Sequence, residues 1–138
     1  MTSYRLFEHT ADLGIEFFAD SLEGLFIASA SGLFDVISGI DEIKAEETFQ
    51  INVEGIDMED LLINWLRELL YLHQVKRILL CQFHISQISD TRLLGSVRGE
   101  SFDAKRHEIK KEIKAVTYHD IKVSEKKGRW TARVIFDL

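Results

Sequence analysis

The sequence predicts a single α+β domain in which two main helices pack on a mixed or largely antiparallel sheet. Three observations predict it. Period-two alternation recurs in several short runs, above all Trp130-Thr131-Ala132-Arg133-Val134-Ile135-Phe136-Asp137. Two longer segments carry apolar residues at helical spacing. The helical and extended segments do not alternate strictly, which argues against a parallel βαβ architecture. With 138 residues, no proline, no low-complexity tract and no internal repeat, the chain reads as one domain over 1–138.

In order along the chain, residues 3–8 read as a short strand, His9-Thr10-Ala11-Asp12 as a turn, and Leu13 to Ala19 as a second strand. Ser21 is placed to cap a helix, its hydroxyl accepting a free first-turn N–H. Leu22, Leu25, Phe26, Ser29, Leu33, Val36 and Ile37 then form one stripe, and Gly39 ends the element. A strand from about Glu47 to Val53 puts Phe49, Ile51 and Val53 on one face. Asp57 caps the strongest helix, which runs to about Gln74 with Met58, Leu61, Leu62, Trp65, Leu66, Leu69, Leu70 and His73 as its stripe. Glu59 and Asp60 sit where the helix dipole favours anions.

Leu79–Ser89 and Arg92–Gly99 read as two strands joined at Asp90-Thr91. Residues 102–111 suit either a helix or an irregular loop. From Glu112 the period becomes two, with Ile113, Ala115, Thr117 and His119 on one side. Lys126-Lys127-Gly128 reads as a hairpin turn in which the glycine takes positive φ. In the last strand Trp130, Ala132, Val134 and Phe136 face one way, and Thr131, Arg133, Ile135 and Asp137 the other.

The formal net charge of −6 conceals an asymmetry. Residues 1–60 hold 14 acids against Arg5 and Lys44, whereas residues 61–138 hold 9 acids and 15 bases. The acidic part disfavours indiscriminate nucleic-acid binding, because it repels phosphates. Lys105, Arg106, Lys110, Lys111 and Lys114 form a basic cluster, but Glu108 and Glu112 interrupt it and no aromatic interleaves it, so a solvated face or docking patch fits better. A lone cysteine, Cys81, rules out an internal disulfide and a cysteine-based zinc knuckle, and its apolar neighbours place it in the core. With no pressure for an oxidising compartment, no signal-like N-terminus and no long apolar run, the expected location is the cytoplasm, away from membranes.

No nucleophile motif and no phosphate-cradling glycine loop is present, so no residue is assigned a catalytic role. Asp12 and Asp137 each lie at an end of a strand-like run, where side chains can converge over a sheet edge. Carboxylates are hard ligands suited to Ca²⁺, Mg²⁺ or Mn²⁺, and the backbone carbonyl or terminal carboxylate of Leu138 adds oxygen beside Asp137. Against that stands the ordinary role of aspartates as solvated surface groups. His9, His107 and His119 have no helical spacing that would bring two together, so structural hydrogen bonding suits them better than a nitrogen-rich metal site. Glu100 and Asp103 read as exposed acids of a turn, with added ligands or partner contacts as the alternative.

Four pieces taken together resemble one family: His9-Thr10-Ala11-Asp12 followed by Gly14; Asn64 to Tyr71; Gly99-Glu100 with Phe102-Asp103 and His107; and Ile113 to His119 running on to Val134-Ile135-Phe136-Asp137-Leu138. In order and spacing they are similar to archease over nearly the whole chain. The resemblance implies a small α+β protein that is not itself an enzyme but activates an RtcB-type RNA ligase of tRNA splicing and RNA repair. That ligase is guanylylated from GTP on its own histidine, and archease promotes this step and turnover and broadens nucleotide use. The resemblance also implies a divalent-cation site on Asp12, Asp137 and Leu138, with Ca²⁺ first and Mg²⁺ or Mn²⁺ as alternatives. His9, Glu100, His107 and His119 are candidates for supporting or partner contacts, and tRNA for an indirect associate. The alternative function for the family is a chaperone-like modulator of RNA-modifying enzymes such as tRNA methyltransferases.

Overall fold

The computed structural model describes residues 3–9 and 12–138. Within them the chain runs β1 (Tyr4–His9), β2 (Asp12–Ala19), α1 (Leu22–Ser38), β3 (Glu47–Glu54), α2 (Met58–Gln74), β4 (Ile78–Ile88), β5 (Arg92–Ser101), β6 (Ala115–Val116), β7 (Lys122–Lys126) and β8 (Arg129–Asp137). The α+β class stands, and every pairing is antiparallel. The strands divide between two sheets. One has the order β1-β2-β8-β6 with β7 also on β8, and the other has the order β3-β5-β4.

Both helices begin where a side chain takes up a free backbone donor. Ser21 Oγ accepts the Gly24 N–H at 2.9 Å, and an Asp57 carboxylate oxygen accepts the Asp60 N–H at 2.8 Å. Gly39, at φ 75°, closes α1 with its N–H on the Asp35 carbonyl. The buried stripes of the two helices meet the inner faces of both sheets in one core, where Trp65, Phe17, Phe26, Phe34 and Phe136 are the largest enclosed side chains. The Trp65 indole N–H donates to the Phe26 carbonyl at 2.9 Å and so ties α2 to α1 without leaving its polar atom unpaired.

The run after Glu112 and Cys81 differ from their sequence reading, and residues 102–111 take the irregular of their two alternatives. Residues 102–114 form an irregular strap, secured by Lys110 N–H to the Ile37 carbonyl (2.7 Å) and Ser38 hydroxyl to the Glu108 carbonyl (2.6 Å). The alternating run after Glu112 gives only the two-residue β6, because side chains satisfy its flanking carbonyls in place of a ladder. Gln74 Nε2 donates to Ile113 O (3.0 Å) and Lys114 O (2.8 Å). Cys81 is half-buried, at a bulge where the β4–β5 register skips between Leu80 and Gln82. No helix among the described residues is long and apolar enough to cross a membrane.

Candidate metal centre

The antiparallel register of β2 and β8 puts Asp12 directly opposite Asp137, and that of β1 and β2 puts His9 opposite Asp12. Ala115 of β6 lies on the other side of Asp137. One row of residues thus crosses the sheet from His9 through Asp12 and Asp137 to Ala115. Directly opposed residues share a face, so the carboxylates of Asp12 and Asp137 emerge side by side, with Cα atoms about 4.5–5.5 Å apart. Asp12 is half-buried and Asp137 exposed. Thr10 and Ala11, the middle of the opening turn, lie outside the described residues.

The end of β8 is held from the far side through β6. The Lys114 N–H donates to the Asp137 carbonyl at 2.8 Å. The Thr117 hydroxyl and N–H both donate to the Ile135 carbonyl, at 2.9 and 3.1 Å. Helix α2 supports β6 in turn: the Arg67 guanidinium donates to the Val116 carbonyl at 3.2–3.3 Å, and Gln74 holds the carbonyls before it. Arg67 also lies 4.7 Å over the Tyr118 ring, whose hydroxyl donates to Asp60 at 2.5 Å. That hydrogen bond and the Ile56 N–H hold the Asp60 carboxyl below its ordinary range, while the Tyr118 hydroxyl is pushed above its own. Asp137 is therefore seated through a chain of contacts that begins on α2.

The other candidate residues go elsewhere. Glu100 is not an exposed turn acid: it is buried, at 3% exposure, because β5 runs on to Ser101 and carries it inward. One Glu100 oxygen accepts the Lys44 N–H at 2.7 Å and His107 Nε2 at 2.9 Å, and the other takes the Arg106 guanidinium. Burial pushes this carboxyl up, but the Lys44, His107 and Arg106 bonds outweigh it and the net shift is downward. His107 Nδ1 accepts the Asp103 N–H at 2.9 Å, so the ring's proton sits on Nε2 and points at Glu100. Glu100 and His107 thus clasp the strap to the β3-β5-β4 sheet. His119 is exposed beside Asp120, with Nε2 3.6 Å from its carboxylate. Among the described residues no group of three or more His, Cys, Asp or Glu side chains converges on one point. The register brings the acids Asp12 and Asp137 together, and paired carboxylates are the kind of hard oxygen donors that suit a divalent cation.

The comparisons agree along the length of the chain. The model of the Archease protein family (MTH1598/TM1083) matches residues 4–138. The chain belongs to the archease family. The archease of Pyrococcus furiosus is 42% identical, with both chains covered completely, and that of Methanopyrus kandleri is 38% identical over 95% of this chain and 96% of its own. The solution structure of protein 1598 of Methanobacterium thermoautotrophicum superposes with a TM-score of 0.83 at 32% identity, both chains fully covered. The Thermotoga maritima archease crystal structure shares the fold, with a TM-score of 0.62 at 22% identity over 97% and 96% of the two chains.

Proposed function

We propose that this archease is a non-catalytic accessory protein that activates an RtcB-type RNA ligase. It promotes the ligase's guanylylation and turnover through a divalent cation held between its terminal strands. The observation that carries the reading is the register pair Asp12–Asp137 in a chain of this family. Asp12, Asp137 and an oxygen of Leu138 would hold the ion, with Ca²⁺ the first candidate and Mg²⁺ or Mn²⁺ as alternatives. When bound, such an ion neutralises negative charge and orients anionic groups at a partner's nucleotide site. The chain's own part is positional. Helix α2 fixes β6, β6 fixes the end of β8, and the two carboxylates are offered at the rim of a rigid sheet. The nucleophile and the nucleotide belong to the ligase, tRNA is met through that partner, and the setting is the cytoplasm.

Multiple-turnover RNA ligation with and without the protein tests this. Asp12→Ala and Asp137→Ala should abolish stimulation of guanylylation while melting near the wild type. Full stimulation by both variants would sink the assignment. A second reading, a chaperone-like modulator of RNA-modifying enzymes such as tRNA methyltransferases, draws on the description of the Thermotoga protein as a possible chaperone. Suppressed aggregation of such an enzyme, with no effect on ligation, would favour it.

A further inference from the structure

The outer face of the larger sheet changes character along β8. It carries Asp137 at one end, then Ile135, Arg133, Thr131 and Arg129. Register places Lys122 opposite Arg133, Ser124 opposite Thr131 and Lys126 opposite Arg129. Two like-charged cross-strand pairs therefore flank a pair of hydroxyls on one hairpin face. Like charges directly opposed in a sheet destabilise it. A face that carries two such pairs, with the neighbouring Glu16 already held by Arg5, is better explained by a ligand than by folding. Among the described residues no carboxylate pairs with Lys122, Lys126, Arg129 or Arg133. Glu16, the acid register places beside Arg133, is engaged by Arg5 at 2.5 Å. Ser124, Lys126, Arg129 and Thr131 line a shallow depression of about 500 Å³.

The same face carries aromatic rings. Phe7 packs over Gly14, where a Cβ would strike its ring, and Arg133 lies 3.8 Å over the ring centre. Phe18 lies beneath Arg129 at 5.6 Å. Neither phenylalanine belongs to the central core, and both helices pack on the opposite side of the sheet, against Phe17, Val134 and Phe136. The face thus joins cations in two rows, hydroxyl groups between them, and guanidinium groups over phenyl rings beside an exposed hairpin. Cations and hydroxyls suit phosphodiester oxygens; guanidinium and aromatic planes suit stacked bases. An acidic protein surface would use the cations but not the planes.

We infer that this face, formed by the β7–β8 hairpin with Phe7 and Phe18 beside it, binds single-stranded polynucleotide through its phosphate backbone. The ligase reading plays no part in the argument, and binding is measured with the protein alone, so either idea can fail without the other. The probe is a fluorescein-labelled oligouridylate of about 16 nucleotides, a length suited to one binding face, followed by anisotropy. Four phosphate contacts predict roughly a 50-fold weakening as salt rises from about 50 to 200 mM. The double variant K126E/R129E should bind at least about tenfold more weakly, and the milder K126A/R129A should fall between it and the wild type. K76E, which reverses an exposed charge just beyond α2, should bind as the wild type. Circular dichroism melts establish that each variant is folded. The inference is overturned by an absence of binding at 50 mM salt, by wild-type binding of both double variants, or by an oligoglutamate that displaces the oligonucleotide at equal charge concentration.

Discussion

Asp12 and Asp137 stand directly opposite each other where β2 meets β8, two carboxylates on one face at one end of the sheet. Opposed like charges cost a sheet about 0.2–1 kcal/mol, and a cation between them reverses the sign. Calcium at about a hundred times its dissociation constant should raise stability by roughly 2.7 kcal/mol, seen as an upward shift in melting temperature that a chelator reverses. Asp137→Asn should remove the calcium shift, yet melt at or slightly above the wild type in chelator. An equal calcium shift in Asp137→Asn would dissociate the ion from this pair.

The Glu100–His107 clasp gives a separate expectation for stability. Glu100→Gln keeps an acceptor for Lys44 and His107 but turns an amide N–H₂ toward Arg106. The loss should be about 3 kcal/mol in urea unfolding, the low end for a buried charge pair broken from one side, because Arg106 is partly exposed. The Glu100 carboxyl is held below its ordinary value, so its contribution is present above the unfolded-state value near 4.5 and is lost as pH falls through the folded-state value. In the Gln variant the pH dependence below 4.5 should flatten. A variant as stable as the wild type at pH 7 would show that the clasp is dispensable.

Local signals identified most elements, and long-range pairing supplied what they could not. Ser21 and Asp57 as caps, the stripe through Trp65 and the alternation of Trp130 to Phe136 are all written within a few residues of one another. The partition of strands into two sheets depends on contacts between segments a hundred residues apart, such as Leu13 with Phe136. The meeting of Asp12 with Asp137 is of that kind: each carboxylate was identifiable as a hard ligand, but only register brings them together. The inward turn of Glu100 and the short β6 have no local sequence signal, for a related reason. Glu100 is buried because Lys44, Arg106 and His107 reach it, and β6 stops because Gln74 takes its neighbouring carbonyls. The outer hairpin face was visible as alternation, but its charge needed the pairing of β7 with β8.

Protonation of His73 should set part of the stability loss on mild acidification. The ring is half-buried, edge-on to Phe34 at 6.1 Å, with Nδ1 3.3 Å from the Ile78 carbonyl. Burial pushes the imidazole below its ordinary value of 6.5, and the Ile78 carbonyl only partly offsets this. The unfolded chain therefore takes up the proton first. The contribution is intact above pH 6.5 and is lost as pH falls from there through the lower folded-state value. Unfolding free energy measured from pH 7.5 to 5 should decline, by at most about 1.4 kcal/mol per pH unit for one proton. His73→Gln, whose amide can keep the bond to Ile78, should decline less steeply. Parallel curves would assign the pH dependence to other groups.

The tip of the β7–β8 hairpin carries a local conflict that a substitution can relieve. Lys127 and Gly128 form a two-residue turn with φ of 53° and 78°. That geometry matches the twist of the flanking strands and requires positive φ at both positions. Glycine meets the requirement freely, whereas lysine does so against its Cβ. The turn is held by the Gly128 N–H on a Glu125 carboxylate oxygen at 2.7 Å and by the pairing of Lys126 with Arg129. Asparagine tolerates the left-handed region better than lysine, so Lys127→Asn should stabilise by about 0.5–1 kcal/mol. The gain should appear as a higher urea midpoint at unchanged slope. Lys127→Val, branched at Cβ, should move the midpoint the other way. If both variants unfold at the wild-type midpoint, the turn is loose enough that its backbone angles do not contribute to global stability.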